Sequence, residues 1–158
     1  MNRRVLMITT QWPPVPTVGT RRPVRLARHL PAHGWTPVVM VDDPPDSAVA
    51  VHRPPDHSLI PPDCEVHRVP GRMPGAWAHR QLVRAVDRAA GARAGWIAHR
   101  LATGLALPDH VPEWTPTVVR AARRIPPVDA VWTTGRPFGM FVVAAAVARA
   151  LGKPLVLD

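Results

Sequence analysis

Arg21 and Arg22 stand together at the end of "TTQWPPVPTVGTRRP" (Thr9–Pro23), where an apolar run gives way to closely spaced prolines, one glycine and then a helical pattern. A cation in the first turn of a helix opposes the helix dipole, by roughly 0.3–1 kcal/mol at an exposed site. Two of them are locally unfavourable unless an anion sits beside them. Arg136 repeats the arrangement in "TTGRPFG", ahead of the last apolar helical pattern. The unpaired N–H groups of a helix start attract phosphate, and a glycine lets the backbone come close to it. The chemistry these residues suit is electrostatic capture of a phosphate-like anion. Gly19, Arg21 and Arg22 would form one side of the site, and Arg136 the other. The competing reading leaves three arginines pointing into water; the anion site is preferred because both loops show the same pattern.

Other chemistries find less support. The fingerprint G-x-G-x-x-G of dinucleotide sites is absent, although Asp42 ends a strand about where a ribose-binding acid would lie. A nicotinamide or flavin cofactor is therefore ranked well below anion capture. Among eight histidines, His29 and His33 lie one helical turn apart, but no third ligand accompanies them, and the last turn of a helix is an ordinary place for histidine. No metal is expected, and no catalytic base stands out.

The elements that must hold the two loops can be read from periodicity. "RRVLMITT" (Arg3–Thr10) is a continuous apolar run, as in a strand buried on both faces. Arg21–His33 reads as a helix, with Thr20 as its cap, Pro23 in its first turn and Gly34 as its stop. Strands follow at Thr36–Asp43 and, less apolar and at an edge, at Cys64–Pro70. Ala76–Ala102 is helical but interrupted by Gly91 and Gly95. Trp114–Arg124 is a helix, Val128–Thr134 a strand, Pro137–Leu151 a strongly apolar helix stopped by Gly152, and Pro154–Asp158 a last strand. Between them, Asp43–Asp63 holds six prolines; so long a loop is usually functional, and Ala48–Val51 within it suits a short extra strand. Alternating strands and helices imply an α/β, Rossmann-like parallel sheet of about five strands, in the order 3-2-1-4-5, with helices on both faces. The order reverses between the first and fourth strands. Ligands bind in the crevice outside their carboxyl ends, and the loops bordering it are Gln11–Thr20 and Gly135–Pro137.

Composition narrows the class further. A chain of 158 residues, 46% hydrophobic, is long enough for one domain with a core. Its 21 prolines belong to ordered loops rather than to disorder, which needs low hydrophobicity. One cysteine, Cys64, allows no internal disulfide and fits a reducing compartment. The basic N-terminal stretch has too short an apolar run for a signal peptide, and no run is long enough to span a membrane. The expected location is cytoplasmic, with a peripheral place at the inner membrane face as the variant. The net charge of +9 suggests nucleic acid, but only Lys153 is lysine and the arginines are scattered. Arginine as the default surface cation is the simpler reading, so no nucleic-acid partner is expected. Arg80, Arg84 and Arg88 fall at i, i+4 steps flanked by Leu82, Val83 and Val86. Such a helix can lie on anionic lipid, or it can be a solvated face covering the sheet, which is slightly preferred.

"LMITTQWPPVPTVGTRRPVRLARHLPAHGWTPVVMV" (Leu6–Val41) resembles the N-terminus of bacterial family-four glycosyltransferases of the GT-B fold. "LPDHVPEWTPTVVRAARRI" (Leu107–Ile125) and "DAVWTTGRPFGMFVVAAAVARALGKPLVLD" (Asp129–Asp158) are similar to later stretches of the same domain. The resemblance covers nearly the whole chain. It implies residues 1–158 as one Rossmann-like, acceptor-side domain of a retaining two-domain enzyme. Such an enzyme moves a sugar from a nucleotide-sugar, used as co-substrate without a further cofactor, to a glycan or lipid-linked glycan of the cell envelope. It also implies that Val18, Gly19 and Thr20 face the donor diphosphate and that Thr134–Arg136 lines the cleft. The family often has serine and paired prolines where this chain has Gly135-Arg136-Pro137. Trp12, at the crevice, and Asp109 and His110, in the loop ahead of Trp114, are candidate acceptor contacts. The family often continues past an aspartate equivalent to Asp158 into Arg-Asp-Pro-Trp and a donor-binding domain. The resemblance therefore implies a fragment or half of a split protein, inactive alone and prone to self-association at its last strand and at Phe138, Phe141 and Val142. A different class remains beside it: a stand-alone anion-binding or interaction module without catalysis.

Overall fold

Leu6, Met7 and Ile8 have no exposed surface, which only a strand with a layer packed on each face achieves. They belong to β1 (Arg3–Ile8). The computed structural model describes residues 3–14, 18–43, 58–62, 64–71, 74–105 and 109–158. β1 pairs in parallel with β2 (Trp35–Asp43) on one side and with β4 (Ala130–Thr133) on the other. β3 (Glu65–Pro70) adds outside β2, and β5 (Leu155–Leu157) outside β4, both also parallel. The order is β3-β2-β1-β4-β5, the one expected from right-handed crossovers, and β3 is an edge as its mixed pattern implies.

Strand alternation sorts the core into two layers. Leu6, Ile8, Val38, Met40 and Val131 pack under α4 (Thr115–Ala122) and α5 (Gly139–Leu151), through Val118, Val143, Ala144 and Val147. Val5, Met7, Val39, Val41 and Trp132 face the other way, onto Val24 and Ala27 of α1 (Val18–His29). The fold is Rossmann-like, with helices on both faces. Two further helices, α2 (Pro74–Ala90) and α3 (Ala92–Leu105), form a hairpin that packs chiefly on itself.

Several boundaries differ from the sequence expectation. The first helix begins at Val18, three residues before Arg21, so Thr20 lies inside it, fully buried, and is not its cap. Pro23 is consequently the sixth residue of α1 rather than part of its first turn. A proline there leaves the Gly19 carbonyl without its N–H partner, and because Gly19 is exposed water can take that partner's place. The helix then narrows to a 3-10 turn, Leu30–His33, closed by Gly34 at φ 74°, a left-handed geometry that glycine adopts without strain. Gly91, at φ 81°, breaks α2 from α3, whereas Gly95 is an ordinary interior residue of α3. A 3-10 turn at Val111–Trp114 precedes α4. The last helix starts at Gly139, not Pro137, because i→i+3 bonds from Met140 to Pro137 and from Phe141 to Phe138 form a tighter lead-in turn. The short strand expected at Ala48–Val51 lies outside the described residues, as does most of the proline-rich segment around it.

Candidate functional site

The strand order reverses between β1 and β4, and their carboxyl ends define a crevice. Its floor is hydroxyl-rich. Thr133 donates its Oγ1 hydrogen to the carbonyl of Ile8 at 2.8 Å in a fully buried bond, locking the two strand ends together. Beside it, Thr9 is buried, and its Oγ1 accepts the Gln11 backbone N–H at 2.9 Å, turning the chain out of β1. Thr134 is buried as β4 ends, with its hydroxyl 3.1 Å from the Gly135 carbonyl.

Above this floor the first turn of α1 brings up Val18, Gly19 and Thr20. Val18 and Gly19 are exposed, and Thr20 turns into the core. The Gln11 side chain lies against Gly19: a Cβ placed there would come within 2.9 Å of Gln11 Oε1. Gln11 is thus a neighbour of the proposed phosphate loop that residue type alone did not single out. Across the crevice, Gly135 is half-buried and Arg136 exposed, its guanidinium 5.7 Å from the Phe138 ring centroid.

The remaining candidates are engaged by the protein itself. Arg22 donates from Nε to Asp158 Oδ2 at 2.8 Å and from Nη2 to Oδ1, so its guanidinium already holds a carboxylate. Asp158 also continues the β4 ladder, its N–H 3.0 Å from the Thr133 carbonyl. Arg21, by contrast, is exposed, and no ion pair to it is formed among the described residues. Asp109 accepts the Val111 N–H at 2.9 Å and the Gly139 N–H at 2.8 Å, placing its carboxylate at the N-terminus of α5. His110 Nδ1 lies 2.8 Å from Glu113 Oε1, while Glu113 Oε2 accepts the Gly75 N–H at 2.7 Å at the start of α2. Asp109 and Glu113 therefore clamp two helix starts, which is positional work for a loop read as an acceptor contact. Trp12, 1% exposed, is packed among Met7, Val24 and Val39, so its ring is closed to stacking with a sugar. Burial against α1 runs against the exposure that a stacking contact needs. Among the described residues, no three histidine, cysteine or acidic side chains come together to hold a metal ion.

Two of the grooves among the described residues flank the core. One of about 520 Å³ runs between α1 and β5, past Arg22, Leu26, Trp132 and Val156, and opens beside the Arg22–Asp158 pair. The other, about 690 Å³, lies between β3 and α4, over Met40 and Val69 with Arg120 and Arg124 at its side. The fold and crevice define a parallel α/β domain of the kind that binds ligands at its topological switch point. Neither the known protein families nor the curated proteins include a match to this chain.

Proposed function

We propose that this domain is the acceptor-side half of a sugar transferase that uses a nucleotide-sugar, with the donor diphosphate lying over the first turn of α1. The observation that carries the reading is the exposed backbone at Gly19, with Arg21 two residues on and Arg136 across the crevice, at the point where strand order reverses. The sequence resemblance supplies the substrate class. In such a reaction negative charge grows on the departing diphosphate, and prearranged N–H groups and cations stabilise it most where charge develops. Arg21 and Arg136 would meet that charge, while Arg22, held by Asp158, would shape the rim. Acceptors of this enzyme class are glycans or lipid-linked glycans.

The test is an amide-resolved NMR titration of the chain with nucleoside diphosphates and nucleotide-sugars, together with a donor-turnover assay. The expected result is weak, saturable shifts at Gly19, Arg21, Gly135 and Arg136, absent from Gly19→Val, and no turnover by the chain alone. Shifts confined to other regions, or none at millimolar ligand, would overturn the diphosphate site; turnover by the isolated chain would overturn the division of labour.

A further inference from the structure

α3 is packed inside out for a helix in water. Its small residues meet α2: Gly95 is buried, Ala94 and Ala98 are half-buried, and a Cβ at Gly95 would come within 2.9 Å of the Asp87 Cβ. Its large apolar residues point away, with Trp96 61%, Ile97 47% and Leu101 68% exposed. At 100° per residue these three, with Arg93 and Arg100, share an arc of about 140°. A surface helix ordinarily turns such a stripe toward the core. Here the core-facing side of α3 is the small one, and the stripe is left to solvent with Arg93 and Arg100 set within it.

We propose that this face of α3 docks on an anionic lipid bilayer. Charge selects the occupant. Between Pro74 and Leu105 there are five arginines and one acidic residue, Asp87, and Arg84, Arg88, Arg93 and Arg100 are all exposed. A second copy of the same face would bring Arg93 and Arg100 against their own duplicates, which like charge disfavours. Trp96 lies under Arg100, whose guanidinium is 5.5 Å from its ring centroid. An indole beside a cation suits the headgroup layer, where the ring is shielded and the charge meets lipid phosphate. With 14 residues α3 is too short to span a bilayer, and no described helix is long and apolar enough to do so. The helix lies on the surface. Among the described residues the hairpin packs chiefly on itself, which leaves Trp96, Ile97 and Leu101 exposed to a flat partner. This docking rests on α3 alone and is measured without any nucleotide.

The experiment is co-sedimentation of the full chain with extruded vesicles, either pure phosphatidylcholine or phosphatidylcholine with phosphatidylglycerol, at low and high salt. The native chain is expected to pellet with anionic vesicles at low salt and at least tenfold less with neutral ones. Trp96→Ser/Ile97→Ser/Leu101→Ser and, separately, Arg93→Gln/Arg100→Gln are each expected to weaken binding at least tenfold with unchanged circular dichroism and melting temperature, since all five side chains are exposed. Absence of binding to anionic vesicles would overturn the proposal. So would equal binding by the native chain and the triple variant, or a native dimer that the triple variant converts to monomer while neither binds lipid.

Discussion

Asp109 Oδ2 accepts the backbone N–H of Gly139 at 2.8 Å, so a carboxylate of the protein itself occupies the start of α5. That is one of the two helix starts where the pattern of arginines and unpaired N–H groups calls for an external anion. Like charges compete there. An anion in the proposed site would be drawn to the α1 side of the crevice, with Arg136 on the other side.

Asp109→Ala removes the acceptor for two N–H groups, at Val111 and Gly139. A lost helix cap costs about 0.5–2 kcal/mol, and urea denaturation should show a loss in that range. Gly139→Ala should do the same by another route, because a Cβ there would overlap Asp109 Oδ1 and Pro112 Cδ. An unchanged midpoint for both would show that the clamp contributes nothing.

Trp12→Ala empties one of the largest fully buried side-chain positions. Truncating a buried aromatic residue costs about 3–5 kcal/mol. The loss should appear in equilibrium unfolding, whereas a surface stacking residue would cost little. Near-native stability in Trp12→Ala would return the ring to the crevice.

Glu65 ties the starts of β1 and β3, 2.7 Å from Arg4 Nη2 and 2.6 Å from His67 Nε2. Partial burial pushes its pKa up, but the His67 hydrogen bond and the Arg4 charge outweigh this and hold it below the ordinary 4.5. A lowered carboxyl pKa stabilises the fold above the unfolded-state value and loses that contribution as pH falls through the folded one. Melting temperature should therefore drop below about pH 4.5, and Glu65→Gln should flatten that limb. The pair is partly exposed, so the effect is small. An acid limb identical in Glu65→Gln would locate the titrating group elsewhere.

Cys64 is pushed the other way. Burial first, and the neighbouring Glu65 charge second, raise its thiol from 9.0 to about 11. Alkylation by iodoacetamide at pH 8 should be far slower in the folded chain than after unfolding in urea, because the thiolate is the nucleophile. The same shift makes the folded state lose stability as pH rises from 9 towards 11. Equal folded and unfolded alkylation rates would contradict it.

Val156 and Leu157 on β5 are 49% and 54% exposed, at a sheet edge. An open apolar edge invites pairing, and Phe138 and Val142 nearby are exposed as well. Sedimentation should show concentration-dependent association that Val156→Lys suppresses. A monodisperse native monomer would refute this.

Strand order and helix stops were legible because they are local signals. Continuous apolar runs mark the inner strands, and Gly34, Gly91 and Gly152 were read as helix breaks where the backbone indeed takes φ of 74°, 81° and 62°. The crevice was legible from strand order, but the partners of the residues around it were not. The two crevice loops follow from topology, yet Arg22 meets its carboxylate 136 positions away, and Asp109 and Glu113 reach Gly139 and Gly75 across 30 and 38. No periodicity carries such pairings. Trp12 misled for a related reason: a loop residue beside a crevice and a core residue beneath a helix have the same neighbours in sequence, and only the packing of Val24 and Ala27 decides between them.

Among the described residues the two borders of the sheet are chemically unlike. β3 presents Glu65, His67 and Arg68 and ends on Pro70, whereas β5 presents Leu155, Val156 and Leu157. The apolar border is the one that favours a neighbouring strand. Two copies joined through β5 would be related by a two-fold axis and would leave a β3 border, charged and proline-ended, at each outer limit. Such a contact would close on itself, giving a finite pair rather than an endless ribbon.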